Sequence, residues 1–94
     1  MSNDSLEQEA LLLKTWTGFR RIFIRDIIFV ECDIQGVRFV IKNDSIECPE
    51  SLKTVLMLLK RNGFCSIHRK YIVNLLYVEK YNKDKHKLKV IKDD

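Results

Sequence analysis

The stretch GFCSIHRKYIVN, residues 63–74, places several chemically capable side chains close together. Cys65 and Ser66 are potential nucleophiles, and His68 is a potential base. In an extended segment Ser66 and His68 share one face, while Cys65 points to the other. Catalysis also needs a group that orients the base and a turn that binds an oxyanion, and the sequence offers no evident carboxylate or glycine-rich turn for these roles. We therefore expect no enzymatic activity.

Other recognisable sites for small ligands are also missing from the sequence. Zinc sites are built from close pairs of cysteine and histidine residues. The chain has five cysteines and histidines, and their spacing does not provide the pairs that a zinc site needs. They are Cys32, Cys48, Cys65, His68 and His86. The three glycines are isolated, so neither of the common phosphate-binding loops occurs. The sequence predicts no metal, no cofactor and no small-molecule substrate.

The cations of the same stretch suit binding to nucleic acid. Arg69 and Lys70 fall at a predicted junction between a helix and a strand, where a rigid scaffold presents side chains on a short loop. An arginine can pair with a guanine edge through two hydrogen bonds, and a lysine can neutralise a phosphate. Further cations that could follow a nucleic-acid backbone are Arg38, Lys83, Lys85 and Lys87. Composition leaves the alternative open that all these side chains are only solvated.

Composition predicts one small globular domain with unevenly placed charge. The chain has 94 residues, 46% hydrophobic and 32% charged, with a net charge of +4. Residues 1–47 carry six basic and eight acidic side chains, whereas residues 48–94 carry eleven and five, which can mark a surface for a polyanion. The sequence has no secretory leader and no apolar run that could span a bilayer. Its three cysteines suit a reducing compartment, so we expect a cytoplasmic protein with no membrane partner.

Most of the chain has the pattern of β-strands. FRRIFIRDIIFVECD, residues 19–33, is dense in isoleucine, phenylalanine and valine and is divided in two by Arg25 and Asp26. The turn sequences CDIQG and KNDS separate it from the strand-like segments VRFVIK and IEC. Later strands are predicted in FCSI, in YIVNLLYVEKY and in the tail, where a hairpin turn is expected at residues 82–85.

One convincing helix is predicted in PESLKTVLMLLKRNG, residues 49–63. Pro49 suits a first helical turn, and Gly63 suits the position just after a helix. Met57 and Leu58 widen the apolar stripe, which predicts a well-buried helix. That stripe consists of Leu52, Val55, Leu56 and Leu59.

The predicted fold class is mainly β with one principal α-helix. Because strands come before and after the helix without βαβ alternation, we expect an antiparallel sheet. Residues 1–15 are interpreted as an N-terminal extension or linker remnant, with a short helix possible at residues 4–14. Residues 16–94 are interpreted as the domain.

The order of these segments resembles the LytTR DNA-binding domain. RDIIFVE matches a strand that ends in glutamate, GVRFVI matches the second strand, and GFCSIHRKYIVN matches a Phe, His-Arg-Ser-Tyr-x-Val-Asn pattern. Lys70 stands where serine is usual; the residues in register are Phe64, His68, Arg69, Tyr71, Val73 and Asn74. The resemblance implies an elongated, antiparallel β fold that places loops in successive major grooves of double-stranded DNA. It also implies transcription regulation, usually by a response regulator of a two-component system.

The resemblance further implies which residues contact DNA. Gln35 and Arg38 fall in the turn after the glutamate-ended strand, and His68, Arg69 and Lys70 form the corner. We add Lys83 and Lys85 of the tail hairpin to the candidate set. A late Ser-Arg-Arg segment of the family has no counterpart before the end at KVIKDD, so we expect either a short member or a fragment. Two alternatives stay open: a homodimer that covers a sheet edge, and a protein-interaction module that binds or inhibits a partner regulator.

Overall fold

The computed structural model describes residues 9–82 and 87–90, which contain nine strands and one α-helix. The helix is α1 (Leu52–Leu59), and the strands are β1 (Ala10–Thr15), β2 (Gly18–Phe23), β3 (Ile27–Asp33), β4 (Gly36–Ile41), β5 (Asp44–Cys48), β6 (Phe64–His68), β7 (Tyr71–Asn74), β8 (Val78–Asn82) and β9 (Lys87–Val90). They form a β1–β2 hairpin, a five-stranded sheet in the order β5-β4-β3-β7-β6, and a β8–β9 pair, all antiparallel. The predicted fold class is therefore confirmed. In this described part, every helix is too short or too polar to cross a membrane.

Strand register divides the five-stranded sheet into an apolar face and a face with a polar row. Residues paired directly across neighbouring strands lie on the same face. One such row belongs to the buried core and consists of Ile46, Phe39, Val30 and Ile72. On the opposite face a row of polar side chains crosses all five strands: Glu47, Arg38, Glu31, Tyr71 and His68. The polar row leads towards the corner that carries Arg69.

α1 begins three residues after the start that the sequence pattern predicts. Ser51 caps the helix, because its side-chain oxygen accepts a hydrogen bond from the backbone N–H of Thr54 at 3.1 Å. Such a cap stabilises a helix by about 1 kcal/mol. Pro49 therefore lies before the helix and not in its first turn. Gly63 follows the helical segment in a left-handed conformation (φ +81°), as its sequence position predicts.

Only one face of α1 packs against the sheet. Val55 and Leu59 are buried, whereas Met57 is 64% and Leu58 56% exposed. The prediction of a helix buried by a wide stripe is therefore wrong. A helix that lies on one sheet buries only the stripe that faces the sheet. At about 100° per residue, Met57 lies about 180° and Leu58 about 80° from the middle of the stripe that contains Val55 and Leu59.

The β1–β2 hairpin covers the apolar face of the central sheet. Leu13 and Ile22 point inwards and belong to the core, and the backbone N–H of Ile24 donates to the Glu9 carbonyl at 2.9 Å. Over residues 10–14 the predicted short helix is wrong, because these residues pair with β2; residues 1–8 lie outside the described ones. The domain boundary at residue 16 stays a prediction.

Asn74 is a buried polar residue that ties β7 to β3. Its side-chain amide donates to the Ile27 carbonyl at 2.9 Å, and its Oδ1 accepts from the backbone N–H of Leu76 at 3.0 Å. These two bonds satisfy groups that burial would otherwise leave unpaired. Asn74 therefore fixes the backbone of the strand that leads away from the corner.

Candidate nucleic-acid interface

The turn between β6 and β7 consists of Arg69 and Lys70, and both side chains are exposed. His68 shapes this corner, because its Nδ1 accepts a hydrogen bond from the backbone N–H of Lys70 at 3.2 Å. The His68 ring also lies against Tyr71, with 5.7 Å between the ring centroids. A bulge next to His68 shifts the register, and the Ser66 hydroxyl donates to the His68 carbonyl at 3.1 Å. These contacts fix the direction in which the corner points.

The same contacts count against a nucleophile–base pair at this corner. The Ser66 hydroxyl donates to a carbonyl oxygen, and the Nδ1 of His68 faces a backbone N–H. General-base catalysis would instead require the hydroxyl to donate to the imidazole. Among residues 9–82 and 87–90, no three His, Cys, Asp or Glu side chains are grouped so that they could hold a metal ion.

The corner is joined to the neighbouring strand by its main chain. The carbonyl of Lys70 accepts a hydrogen bond from the backbone N–H of Cys32 at 2.9 Å, and Glu31 pairs with Tyr71 in the sheet. Because β3 and β7 are antiparallel neighbours, the end of β3 lies beside the start of β7. The β6–β7 corner and the β3–β4 turn therefore lie at one end of the central sheet. Both are regions predicted to contact DNA.

The β3–β4 turn presents Ile34 and Gln35 from a fixed backbone. Ile34 is 98% exposed, and its N–H donates to Oδ1 of Asp33 at 2.8 Å. Gly36 has φ +154°, and a Cβ there would collide with the carbonyl oxygen of Cys48. Only glycine fits this close approach between β4 and β5. Gln35 is thus an exposed amide on a turn of defined shape, as a base-reading side chain requires.

Arg38 lies among carboxylates on the polar face of the sheet. Its guanidinium is 3.3 Å from a carboxylate oxygen of Glu31, 3.5 Å from one of Asp33 and 3.6 Å from one of Glu47. The geometry counts against the predicted contact of Arg38 with DNA, because the side chain would first have to leave these partners. Its evident effect is to offset part of the negative charge of these three carboxylates, which repels phosphate beside the β3–β4 turn.

Arg69 and Lys70 differ from Arg38 in having no acidic partner among the described residues. Within the part of the chain that the structure describes, no carboxylate lies within 4.0 Å of either side-chain cation. Their charges are therefore available to an outside anion. Lys83 and Lys85 lie outside the described residues, and their contacts stay predictions.

Cys48, which faces Gly36, is a structural thiol. Burial raises the pKa of the Cys48 thiol, and the nearby Glu50 carboxylate raises it further. The neutral form therefore persists at neutral pH.

At the opposite end of the sheet, a hydrogen bond from Arg20 and another from the Ser45 backbone lower the pKa of Asp44.

Comparison with known proteins identifies the family. A family model described as the LytTr DNA-binding domain matches residues 17–94. The chain belongs to the LytTR family. Its fold is similar to that of the LytTr DNA-binding domain of a protein assigned as a methyl-accepting/DNA response regulator from Bacillus cereus, with a TM-score of 0.71 and 21% sequence identity over 86% of this chain and 77% of that chain. No curated protein matches this LytTR chain.

One residue beside the site of this LytTR domain was missed from the sequence. Trp16 lies in the β1–β2 turn, is 57% exposed and lines a cavity of about 200 Å³ together with Gln35 of the β3–β4 turn. The tetrapeptide TWTG has the composition of a hairpin turn. That signal could have placed Trp16 in a turn, but the distance between the two turns depends on the packing of the hairpin on the sheet.

Proposed function

We propose that this LytTR domain binds specific sequences of double-stranded DNA through the end of its central sheet and so regulates transcription. Arg69 contacts a base edge or an adjacent phosphate in the major groove, and Lys70 contacts phosphate. Gln35 reads a base from the neighbouring turn. The protein has no catalytic role in this proposal and acts in the cytoplasm.

One observation carries the proposal. Arg69 and Lys70 are exposed cations without an acidic partner in the described residues, on a corner whose backbone is held by His68 and by the N–H of Cys32. A preorganised cation costs little side-chain and loop ordering when it meets a phosphate or a guanine. Arg38, which shares its charge among three carboxylates, does not enter the proposed contact set.

His68 acts in this proposal by positioning the corner. Its Nδ1 is occupied by the Lys70 N–H, so the backbone of the corner depends on this acceptor. Asparagine places an acceptor oxygen close to the position of Nδ1, whereas alanine does not. DNA affinity should therefore survive His68→Asn better than His68→Ala.

A selection from random duplexes, followed by a salt titration of the best sequence, tests the proposal. Each phosphate neutralised by a cation adds about −0.9 to the slope of log K against log salt. We expect a slope of about −0.9 if only Lys70 contacts phosphate, and of about −1.8 if Arg69 does so as well. An affinity independent of salt, or equal for all duplexes, would contradict the proposal.

The carboxylates around Arg38 favour a second candidate function, that of a protein-interaction module. Glu31, Asp33 and Glu47 outnumber the one guanidinium they surround, and a negative turn repels phosphate. Such a module would bind a partner regulator with little dependence on salt and with no preference among duplexes.

The homodimer remains a prediction. Sedimentation of the free chain tests it by measuring the mass of the particle in solution.

A further inference from the structure

The outer face of the β1–β2 hairpin is an apolar surface that carries positive charge. Register places three cross-strand pairs on it: Ala10 with Phe23, Leu12 with Arg21, and Lys14 with Phe19. The alternate residues lie on the opposite, inner side of the hairpin, where Leu13 and Ile22 belong to the core. We call this surface the hairpin face and define it by these six residues.

The hairpin face exposes large hydrophobic side chains. Leu12 is 68% exposed, Phe19 70% and Phe23 36%. Because successive strand residues alternate between faces, these three lie together rather than scattered over the surface. Clustered exposed apolar side chains mark interaction surfaces more often than isolated ones do.

The charges on the hairpin face are all positive. β1 and β2 contain no acidic residue, and in the described residues neither Lys14 nor Arg21 has a carboxylate within 4.0 Å. The Arg21 guanidinium lies over the Phe23 ring, 5.6 Å from its centroid. Arg20, on the inner side, is instead paired with Asp44 at 2.9 Å. The outward cations are therefore available to carboxylates of a partner.

We propose that the hairpin face binds another protein through an acidic surface with an apolar centre, such as an amphipathic helix with flanking glutamates. Charge complementarity favours this occupant. A second copy in a two-fold dimer would bring the same cations together. Two cations are too few for anionic membranes, which attract clusters of about four to eight. Leu12 at the centre gives duplex DNA no partner group, because it neither bears charge nor forms hydrogen bonds.

A defined peptide pair tests this surface on the full chain. The acidic probe is an alanine-based helical peptide of about 18 residues, with leucine at every third or fourth position and glutamates flanking this stripe. The control peptide has lysine in place of every glutamate. Titration is followed by the amide NMR signals of the protein. We expect the acidic peptide to shift signals of residues 10–23, and the lysine peptide to leave them unchanged.

Protein variants separate charge from apolar contact. Lys14→Glu with Arg21→Glu should weaken the acidic peptide at least about tenfold and create binding to the lysine peptide. Leu12→Ser with Phe19→Ser should abolish binding of the acidic peptide. Matched controls that keep wild-type affinity are Lys42→Glu, an exposed cation elsewhere, and Met57→Ser, an exposed apolar residue on α1.

Several outcomes would overturn the proposal. The acidic peptide could leave residues 10–23 unperturbed, or Lys42→Glu could weaken binding as much as the double charge reversal. Shifts at the hairpin face with anionic vesicles or a single-stranded oligonucleotide, but not with the peptide, would identify a different class of partner. Shifts that depend on protein concentration alone would identify a second copy as the occupant. If a variant fails to fold, the comparison of the two peptides on the wild-type chain still decides the charge preference.

Discussion

Replacing Arg69 by alanine should weaken specific DNA binding without weakening the fold. The side chain is exposed and has no acidic partner in the described residues, so its removal leaves no buried group unpaired. Exposed substitutions of this kind change the free energy of unfolding by less than about 0.5 kcal/mol. For a domain of this size that is a shift in Tm of less than about 4 °C.

The loss of affinity should be much larger than the loss of stability. A good contact of an arginine with a base edge contributes about 1–3 kcal/mol of discrimination. Arg69→Ala should therefore raise the Kd for the selected duplex by about 5- to 150-fold. The Kd for an unrelated duplex should rise much less, because a base contact contributes only to the correct sequence.

Fluorescence anisotropy with a labelled duplex measures both constants, and circular dichroism gives the Tm of the same preparation. Lys53→Ala is the matched control, since Lys53 is exposed on α1 and has no carboxylate within 4.0 Å in the described residues. It should leave both Kd values unchanged. The assignment of Arg69 is refuted if Arg69→Ala lowers the Tm by more than about 10 °C, which corresponds to roughly 1.5 kcal/mol or more, or if specific affinity is retained.

Four further substitutions or measurements test the structural account. His68→Ala should weaken DNA binding at least about fivefold more than His68→Asn, because only asparagine keeps the acceptor that holds the corner; equal losses in an anisotropy titration would contradict this role. Gly36→Ala should destabilise the domain by more than about 2 kcal/mol in urea unfolding, through strain and a steric collision with β5. Asn74→Ala should cost about 2–4 kcal/mol in the same assay, because two buried hydrogen bonds are lost. Cys32 should react with a thiol reagent well before Cys48. The raised pKa of Cys48 also means that the stability contributed by its neutral thiol is lost as the pH rises above about 8.5, the ordinary pKa of a cysteine. Unfolding measured at a series of pH values checks the sign of this effect.

The fold class could be predicted because local patterns and packing agree over most of the chain. Arg25 and Asp26 interrupt a long apolar run, and a helical turn, Ile24–Asp26, separates β2 from β3 there. Asn43 adopts φ +62° in the predicted turn between β4 and β5. In both places the residue type dictates the backbone conformation, so no information from distant residues is needed.

The start of the chain could not be predicted in the same way. Residues 10–15 are rich in leucine and contain one lysine, a composition that suits a helix as well as a strand. They form β1 because β2 lies opposite and the central sheet buries Leu13. Tertiary packing here overrides local propensity. The exposure of Met57 and Leu58 has a different cause. Their apolar type suggests burial, but α1 buries the stripe of Val55 and Leu59 against the sheet and leaves the other side in solvent.

At the site, residue identity predicted the corner but not the state of each cation. Arg38 and Arg69 are the same residue type, so the sequence alone does not distinguish their surroundings. Strand register places Glu31 and Glu47 beside Arg38. The role of His68 likewise depends on a hydrogen bond within a two-residue turn. Ion pairs between strands are set by pairing in space, which a single sequence does not reveal.

Mapping a selected duplex onto the chain by NMR is the most direct test of the proposed DNA interface. We expect the largest changes in amide signals on residues 68–70 and 34–36, at one end of the central sheet. We also expect the signals of α1 and of the hairpin face to stay unchanged. Binding that perturbs those surfaces, while Arg69 and Lys70 keep their free-state signals, would contradict the proposed interface.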